Sequence, residues 1–192
     1  LKYLPNGNID RYKARLVARG FNQKYGLDYA ETFSPVIKST TVRLVLEQAV
    51  RHDWCIRQLD VNNAFLQGTV QDEVYVSQPP GFVDQDRPHH VCRLRKALYG
   101  LKQAPRAWYE ELKHTLLAAG FRNSVADTSL FFYTHGGHQV FILVYVGDIV
   151  VTGSSNALVD QFIHLLATRF SIKDLGNLSY FLGIEVTRTS SE

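Results

Sequence analysis

The chain has 192 residues, 45% of them hydrophobic and 20% charged, which excludes extended disorder and provides for one buried core. No apolar run approaches the roughly 20 residues of a membrane span, so neither a membrane partner nor a secretory leader is expected. The net charge of +3 is modest, the two cysteines (Cys55 and Cys92) fit a reduced intracellular setting, and the lack of methionine leads us to expect a piece of a longer chain.

Pro5-Asn6-Gly7-Asn8 is a turn signal. Ile9 to Phe21 alternates and predicts a strand whose polar side aligns Lys13, Arg15 and Arg19, a row suited to phosphates. Residues 22–38 are irregular, broken by Gly26 and Pro35. Ser39 or Thr40 is expected to cap a helix through His52, with Val42, Val45, Leu46, Ala49 and Val50 as its core stripe. Trp54 to Val61 predicts a short strand that carries Asp60 among Ile56, Leu59 and Val61. A carboxylate there is costly unless something pairs with it, and both a metal and a cap on the following turn would do so. Val74-Tyr75-Val76 reads as a strand closed by Gln78-Pro79-Pro80-Gly81-Phe82, and Val91 to Leu94 reads as another. His89, His90 and Cys92 lack a second cluster at ligand spacing, which favours a loop over a zinc site.

Pro105 fits the first turn of a helix to Ala119, with Trp108, Leu112, Leu116 and Leu117 inward and Gly120 at its end. Ser129 to Thr134 and His138 to Val146 are predicted strands around His135-Gly136-Gly137. The second leads into FILVYVGDIVVTG (141–153), two apolar runs flanking Gly147-Asp148. This pattern predicts a tight hairpin buried on both faces, with Gly147 taking the positive φ of a type II′ turn. Asp148 at its tip is either a turn residue or a carboxylate held up to a metal or substrate. Asn156 is expected to cap a helix to about Phe170, with Leu158, Val159, Phe162, Ile163, Leu165 and Leu166 inward. A last strand spans Ser179 to Thr187. The expected fold class is α+β, an antiparallel sheet with helices segregated to one side in two layers. Basic residues gather at 10–24 and again at 93–113, on either side of an acidic stretch holding Asp72, Glu73, Asp84 and Asp86. Two basic segments around a buried acid suit a polyanionic partner.

Seven stretches together carry a resemblance: KARLVARGF (13–21), ETFSPV (31–36), QLDVNNAFLQG (58–68), QPPGF (78–82), ALYGLKQAPRAWY (97–109), LVYVGD (143–148) and YFLGIEV (180–186). In order and spacing the chain resembles the reverse transcriptase of copia-type LTR retrotransposons. The resemblance implies a right-hand polymerase fold, with fingers at about 1–53 and 62–104 and an antiparallel palm sheet backed by helices at about 54–61 and 105–192. By the same resemblance the thumb, the RNase H and an integrase are expected elsewhere in the Pol polyprotein. It implies RNA-directed DNA synthesis with two Mg²⁺ ions, or Mn²⁺ as substitute, on an RNA or DNA template with a primer and deoxynucleoside triphosphates. A cytoplasmic site is expected, in virus-like particles or, alternatively, the nucleus.

By resemblance Asp60, the Val61 backbone carbonyl and Asp148 are metal ligands. Lys13, Arg15, Phe65, Tyr99, Gly100 and Lys102 lie near the nucleotide, with Phe65 as the ring that excludes a ribose 2′-hydroxyl; read from the residues alone, Phe65 is a core aromatic. Leu182 and Gly183 fall in the primer grip. The family shows YVDD where this chain reads YVGD, so Gly147 stands at a vacant acid position and impaired catalysis is expected. A non-catalytic nucleic-acid-binding relic and a decayed fragment are the alternatives.

Overall fold

The computed structural model describes residues 2–3, 6–12 and 14–187, with residues 2, 3, 10 and 11 as backbone only. Lys2–Tyr3 (β1) and Ile9–Arg11 (β2) pair antiparallel across a turn at Asn6–Asn8, where Gly7 takes φ 83°. The strand expected to Phe21 stops at Arg11. Beyond it Tyr12, Leu16 and Val17 stay exposed, and among the described residues the alternating stretch meets a partner where Val17 bridges Tyr99. Alternation needs a neighbouring strand to become a ladder.

The first helix, α1, spans Ser39–Arg51 and turns Val42, Val45 and Ala49 inward. Val50 is 71% exposed, because a residue adjacent to Ala49 is rotated off the buried stripe. Neither Ser39 nor Thr40 caps it; Lys38 is the N-cap residue, and its N–H donates to the Asp127 carboxylate at 3.0 Å. Next come β3 (Cys55–Val61), α2 (Ala64–Gln67), β4 (Tyr75–Ser77) and β5 (Val91–Arg93), the last two paired as a hairpin. Helix α3, Ala104–Ala118, carries Pro105 in its first turn and buries Trp108, Tyr109, Leu112 and Leu116. Leu117 is 44% exposed, and Tyr109 takes the inward place expected of it.

Strands β6 (Arg122–Asn123), β7 (Leu130–His135), β8 (His138–Tyr145) and β9 (Asp148–Gly153) follow as a meander. Helix α4, Asn156–Arg169, is capped by Ser155, whose Oγ accepts from the Leu158 N–H, and not by Asn156. Strand β10, Ile172–Asn177, is absent from the expected elements. Where one final strand is expected, β11 (Tyr180–Phe181) and β12 (Ile184–Glu185) form a hairpin. Leu182 at φ 48° and Gly183 at φ 86° supply the paired left-handed residues of a type I′ turn.

One antiparallel sheet in the order β10-β3-β9-β8-β7-β6 organises the molecule. Leu59, Val61, Ile142, Val144, Ile149 and Val151 pack on one face against α3 and α4. Ile56, Leu143 and Val150 pack on the other against α1 and Phe181. The α+β class stands, but the helices are not segregated to one side. Ile142-Leu143 and Val150-Val151 place apolar side chains on both faces of the central strands, each contributing about 1.5–3 kcal/mol when buried, so both faces need a cover. Among the described residues no helix is long and apolar enough to cross a membrane.

Candidate active site

Asp60 and Asp148 come from strands far apart in sequence and meet as direct cross-strand partners of β3 and β9. Val61 N–H donates to Gly147 O at 2.8 Å. The neighbouring pair, Asp60 with Asp148, is therefore of the non-hydrogen-bonded kind, in which opposed Cα atoms approach to about 4.5 Å and side chains run closest. Both residues are half-buried. Burial, and then the charge of Asp60, hold the Asp148 carboxyl above the usual carboxylate range. Lys173 of β10 opposes Asp60 from the other side, and Tyr145 of β8 opposes Asp148. Lys173, Asp60, Asp148 and Tyr145 thus form one row across four strands, on the face that also carries Ile56 and Val150. Lys173 escapes the sequence reading because β10 itself does.

Mg²⁺ takes oxygen ligands and is typically held by one or two carboxylates together with water and substrate phosphates. The Asp60–Asp148 pair fits one such ion, with the Val61 carbonyl oxygen alongside. A pair of ions asks for more, and among the described residues no three His, Cys, Asp or Glu side chains gather as a metal site. Position 147 has the room to supply the third. A Cβ there would meet Val61 O at 3.4 Å and Ala64 Cβ at 3.6 Å, both ordinary contacts.

The turn that carries position 147 differs from expectation. Tyr145 pairs with Asp148, so the two-residue loop is Val146-Gly147 and not Gly147-Asp148. Val146, at φ 51°, is its left-handed residue, while Gly147 has no positive φ. A type II′ turn places the positive φ on its first central residue, which here is Val146. Left-handed backbone at a β-branched residue costs about 1–3 kcal/mol. Two hydrogen bonds reach the turn's carbonyls: Trp108 Nε1–H donates to Val146 O at 2.6 Å, and Val61 N–H to Gly147 O at 2.8 Å.

Three residues expected near the nucleotide gather beside α2. The Phe65 and Tyr99 rings stand 4.8 Å apart, and the Arg15 guanidinium lies 5.4 Å from the Tyr99 ring centre. Gly100, at φ 91°, lies where the backbone of 99–100 crosses that of 18–20, and a Cβ on either Gly20 or Gly100 would overlap the other strand's backbone. Lys102 is engaged elsewhere: its Nζ donates to Gln23 O at 3.1 Å and to Tyr29 Oη at 3.4 Å, and sits over the Tyr29 ring. Gln103, 4% exposed, anchors the same loop by accepting from Gln23 Nε2 and donating to Asp28 O and Asp72 Oδ2. Sequence reasoning passed over Gln103, since nothing local marks a glutamine as buried. Lys13 lies outside the described residues.

Leu182 and Gly183 form the tip of the β11–β12 hairpin, whose Phe181 packs on the acid-bearing face. Much of the basic 93–113 segment is paired within the chain: Arg93 with Glu73, Arg106 with Glu31, and Lys96 with Gln67 O and Thr69 Oγ1. Cavities of about 300 and 560 Å³ flank the Gln103 network and the 16–23 segment, away from the acid pair.

The profile of the family described as "Reverse transcriptase (RNA-dependent DNA polymerase)" matches residues 5–192. The chain belongs to the reverse transcriptase family. It is 64% identical over 187 residues to the Retrovirus-related Pol polyprotein from transposon RE1 of Arabidopsis thaliana, covering 97% of the chain and 13% of that protein. It is 40% identical over 179 residues to the corresponding polyprotein from transposon TNT 1-94 of Nicotiana tabacum, covering 93% and 14%. A third relative, the Transposon Ty1-H Gag-Pol polyprotein of Saccharomyces cerevisiae, is 32% identical over 145 residues, covering 73% and 8%. These similarities make it a reverse transcriptase domain of the copia type. The domain spans 13% of the length of the RE1 polyprotein. No solved structure matches it.

Proposed function

We propose that this reverse transcriptase domain forms the palm and much of the fingers of an RNA-directed DNA polymerase, and that this copy is impaired in nucleotidyl transfer at position 147. The observation that carries the reading is the opposition of Asp60 and Asp148 beside a side-chain space that Gly147 leaves open. Divalent ions bound there would supply positive charge at the phosphoryl oxygens and acidify the primer 3′-hydroxyl. Asp60, Asp148 and the Val61 carbonyl would hold the cation against the end of the sheet. Phe65 closes the floor beneath the incoming sugar, Tyr99 backs it, and Arg15 offers its guanidinium to the triphosphate. Gly100 keeps the segment 18–20 close to Tyr99, and Lys102 holds the loop 23–29. Leu182-Gly183, at the tip of a hairpin whose Phe181 packs on the acid-bearing face, would contact the primer end. Template, primer, deoxynucleoside triphosphates and the remaining Pol segments are the partners.

Primer extension on an RNA template with Mg²⁺, in a protein extended by its thumb, tests the reading. Gly147→Asp is expected to raise the rate by about 10³-fold, at tenfold per 1.36 kcal/mol of barrier. Equal rates in both proteins would sink the role of position 147. The missing acid also favours a second reading, a nucleic-acid-binding module without chemistry. In that case duplex binding depends on salt and is indifferent to Mg²⁺.

A further inference from the structure

Resting on Asp60 and Asp148 as the metal-binding pair, we propose that Trp108 is a positioning residue for the catalytic hairpin. Its indole N–H holds the Val146-Gly147 turn in the conformation that sets residues 147 and 148 beside Asp60. The turn offers two carbonyl groups. Gly147 O is taken by the Val61 N–H of the neighbouring strand, and Val146 O by Trp108 Nε1–H at 2.6 Å. A β-branched residue at φ 51° reverts to extended backbone unless its surroundings over-determine it. The Val61 bond fixes the end of β9 but leaves the peptide between 146 and 147 free to rotate. The Trp108 bond acts on that peptide.

The indole itself has no freedom to follow a moving turn. Trp108 is 1% exposed, and Phe170 packs edge-on against it with ring centres 5.1 Å apart. Its backbone is pressed against Gly68, where a Cβ would fall 2.5 Å from the Trp108 amide nitrogen. Gln103, just before α3, is tied to Gln23, Asp28 and Asp72. Helix α3 therefore links the loop that Gln103 anchors to the peptide that aims residue 147. A buried indole N–H needs an acceptor, and Val146 O is the one it has here.

NMR on the chain as it stands tests the proposal. Trp108→Phe keeps most of the bulk and removes the donor. Benzothienylalanine at 108, in a Trp54→Phe background, replaces only the N–H by sulfur and guards against misfolding of the first variant. In both, the Val146 Cα and Cβ shifts should leave their left-handed values. Amide exchange at Gly147 and Asp148 should rise, and Mn²⁺ affinity, read by paramagnetic broadening at Asp60 and Asp148, should fall, each by about tenfold, the effect of one lost hydrogen bond. Phe170→Leu loosens the indole packing and leaves the donor. It should lower Tm without moving the Val146 shifts or the Mn²⁺ affinity, which a merely structural role for Trp108 would not reproduce. Unchanged Val146 shifts and turn exchange in both Trp108 variants would overturn the proposal. If Asp148→Asn binds Mn²⁺ as well as the parent, the metal reading fails instead, and the Val146 shifts still decide the role of Trp108.

Discussion

Burial and the adjacent Asp60 charge both raise the Asp148 carboxyl above its ordinary range, so the fold favours the protonated form. The sign follows: stability is full below the unfolded carboxylate pKa and is lost as pH rises through the raised folded value. At neutral pH Asp148 therefore weakens the fold that carries it. Asp148→Asn should raise Tm at pH 7 by about 2 °C, since a half-exposed pair screened by solvent accounts for less than about 1 kcal/mol. The gain should vanish in acid, where both proteins are neutral at this position; a gain that persists there in thermal melts would refute the cause. Two residues earlier, Val146 holds the left-handed backbone that glycine adopts freely. Val146→Gly should stabilise by about 1 kcal/mol, read as a denaturation midpoint shifted upward at constant m. The sequence reading put the turn one residue late because Gly147 is the obvious candidate for a positive φ. Only the register Tyr145 with Asp148 reveals that a valine carries it.

Elements with their own periodicity were legible: α1, α3, α4, β3 and the long β8–β9 hairpin all stand close to where apolar spacing places them. What was not legible depends on partners distant in sequence. β10 is an edge strand, mostly exposed, and it is a strand because β3 pairs with it. The expected final strand folds back on itself because Leu182 accepts a left-handed φ, which no leucine advertises. The tether at the start of α1 is the clearest case. Burial alone would raise the Asp127 carboxyl, but hydrogen bonds from the Ser129 hydroxyl, from Thr41 and from the N–H groups of Lys38 and Ser129 outweigh it and leave the group below its usual range. Its stabilisation is present above the unfolded carboxylate pKa and is lost as pH falls through the depressed folded value. Asp127→Ala removes this tether and orphans its donors, at about 2 kcal/mol. Tm at neutral pH should drop by roughly 4–8 °C. The deficit should shrink in acid; melts at several pH values that show a constant deficit would contradict the assignment.

For the molecule as a whole, the sheet brings two like charges together at one end and relies on its apolar faces to tolerate them. Neither Asp60 nor Asp148 revealed the other from local residues, since each sits at the end of its own strand and only the β3–β9 ladder opposes them; the family resemblance supplied the pairing before the fold did. Restoring the third acid tests whether the whole fold is balanced for a cation. In Gly147→Asp the new Cβ meets only ordinary contacts and the backbone at 147 has no positive φ, so repulsion among the carboxylates is the main cost of the change. Without divalent ions three neighbouring carboxylates repel, and the variant should melt below the parent. With Mn²⁺ each protein gains RT ln(1 + [M]/Kd), about 1.4 kcal/mol at ten times Kd. A variant that binds the metal more tightly gains more at the same concentration. The two Tm curves plotted against Mn²⁺ should therefore cross, the parent higher in chelator and the variant higher at millimolar metal. Parallel curves, with the same offset at every concentration, would mean that position 147 touches no ion and that the opposed acids of the sheet were never short of a third.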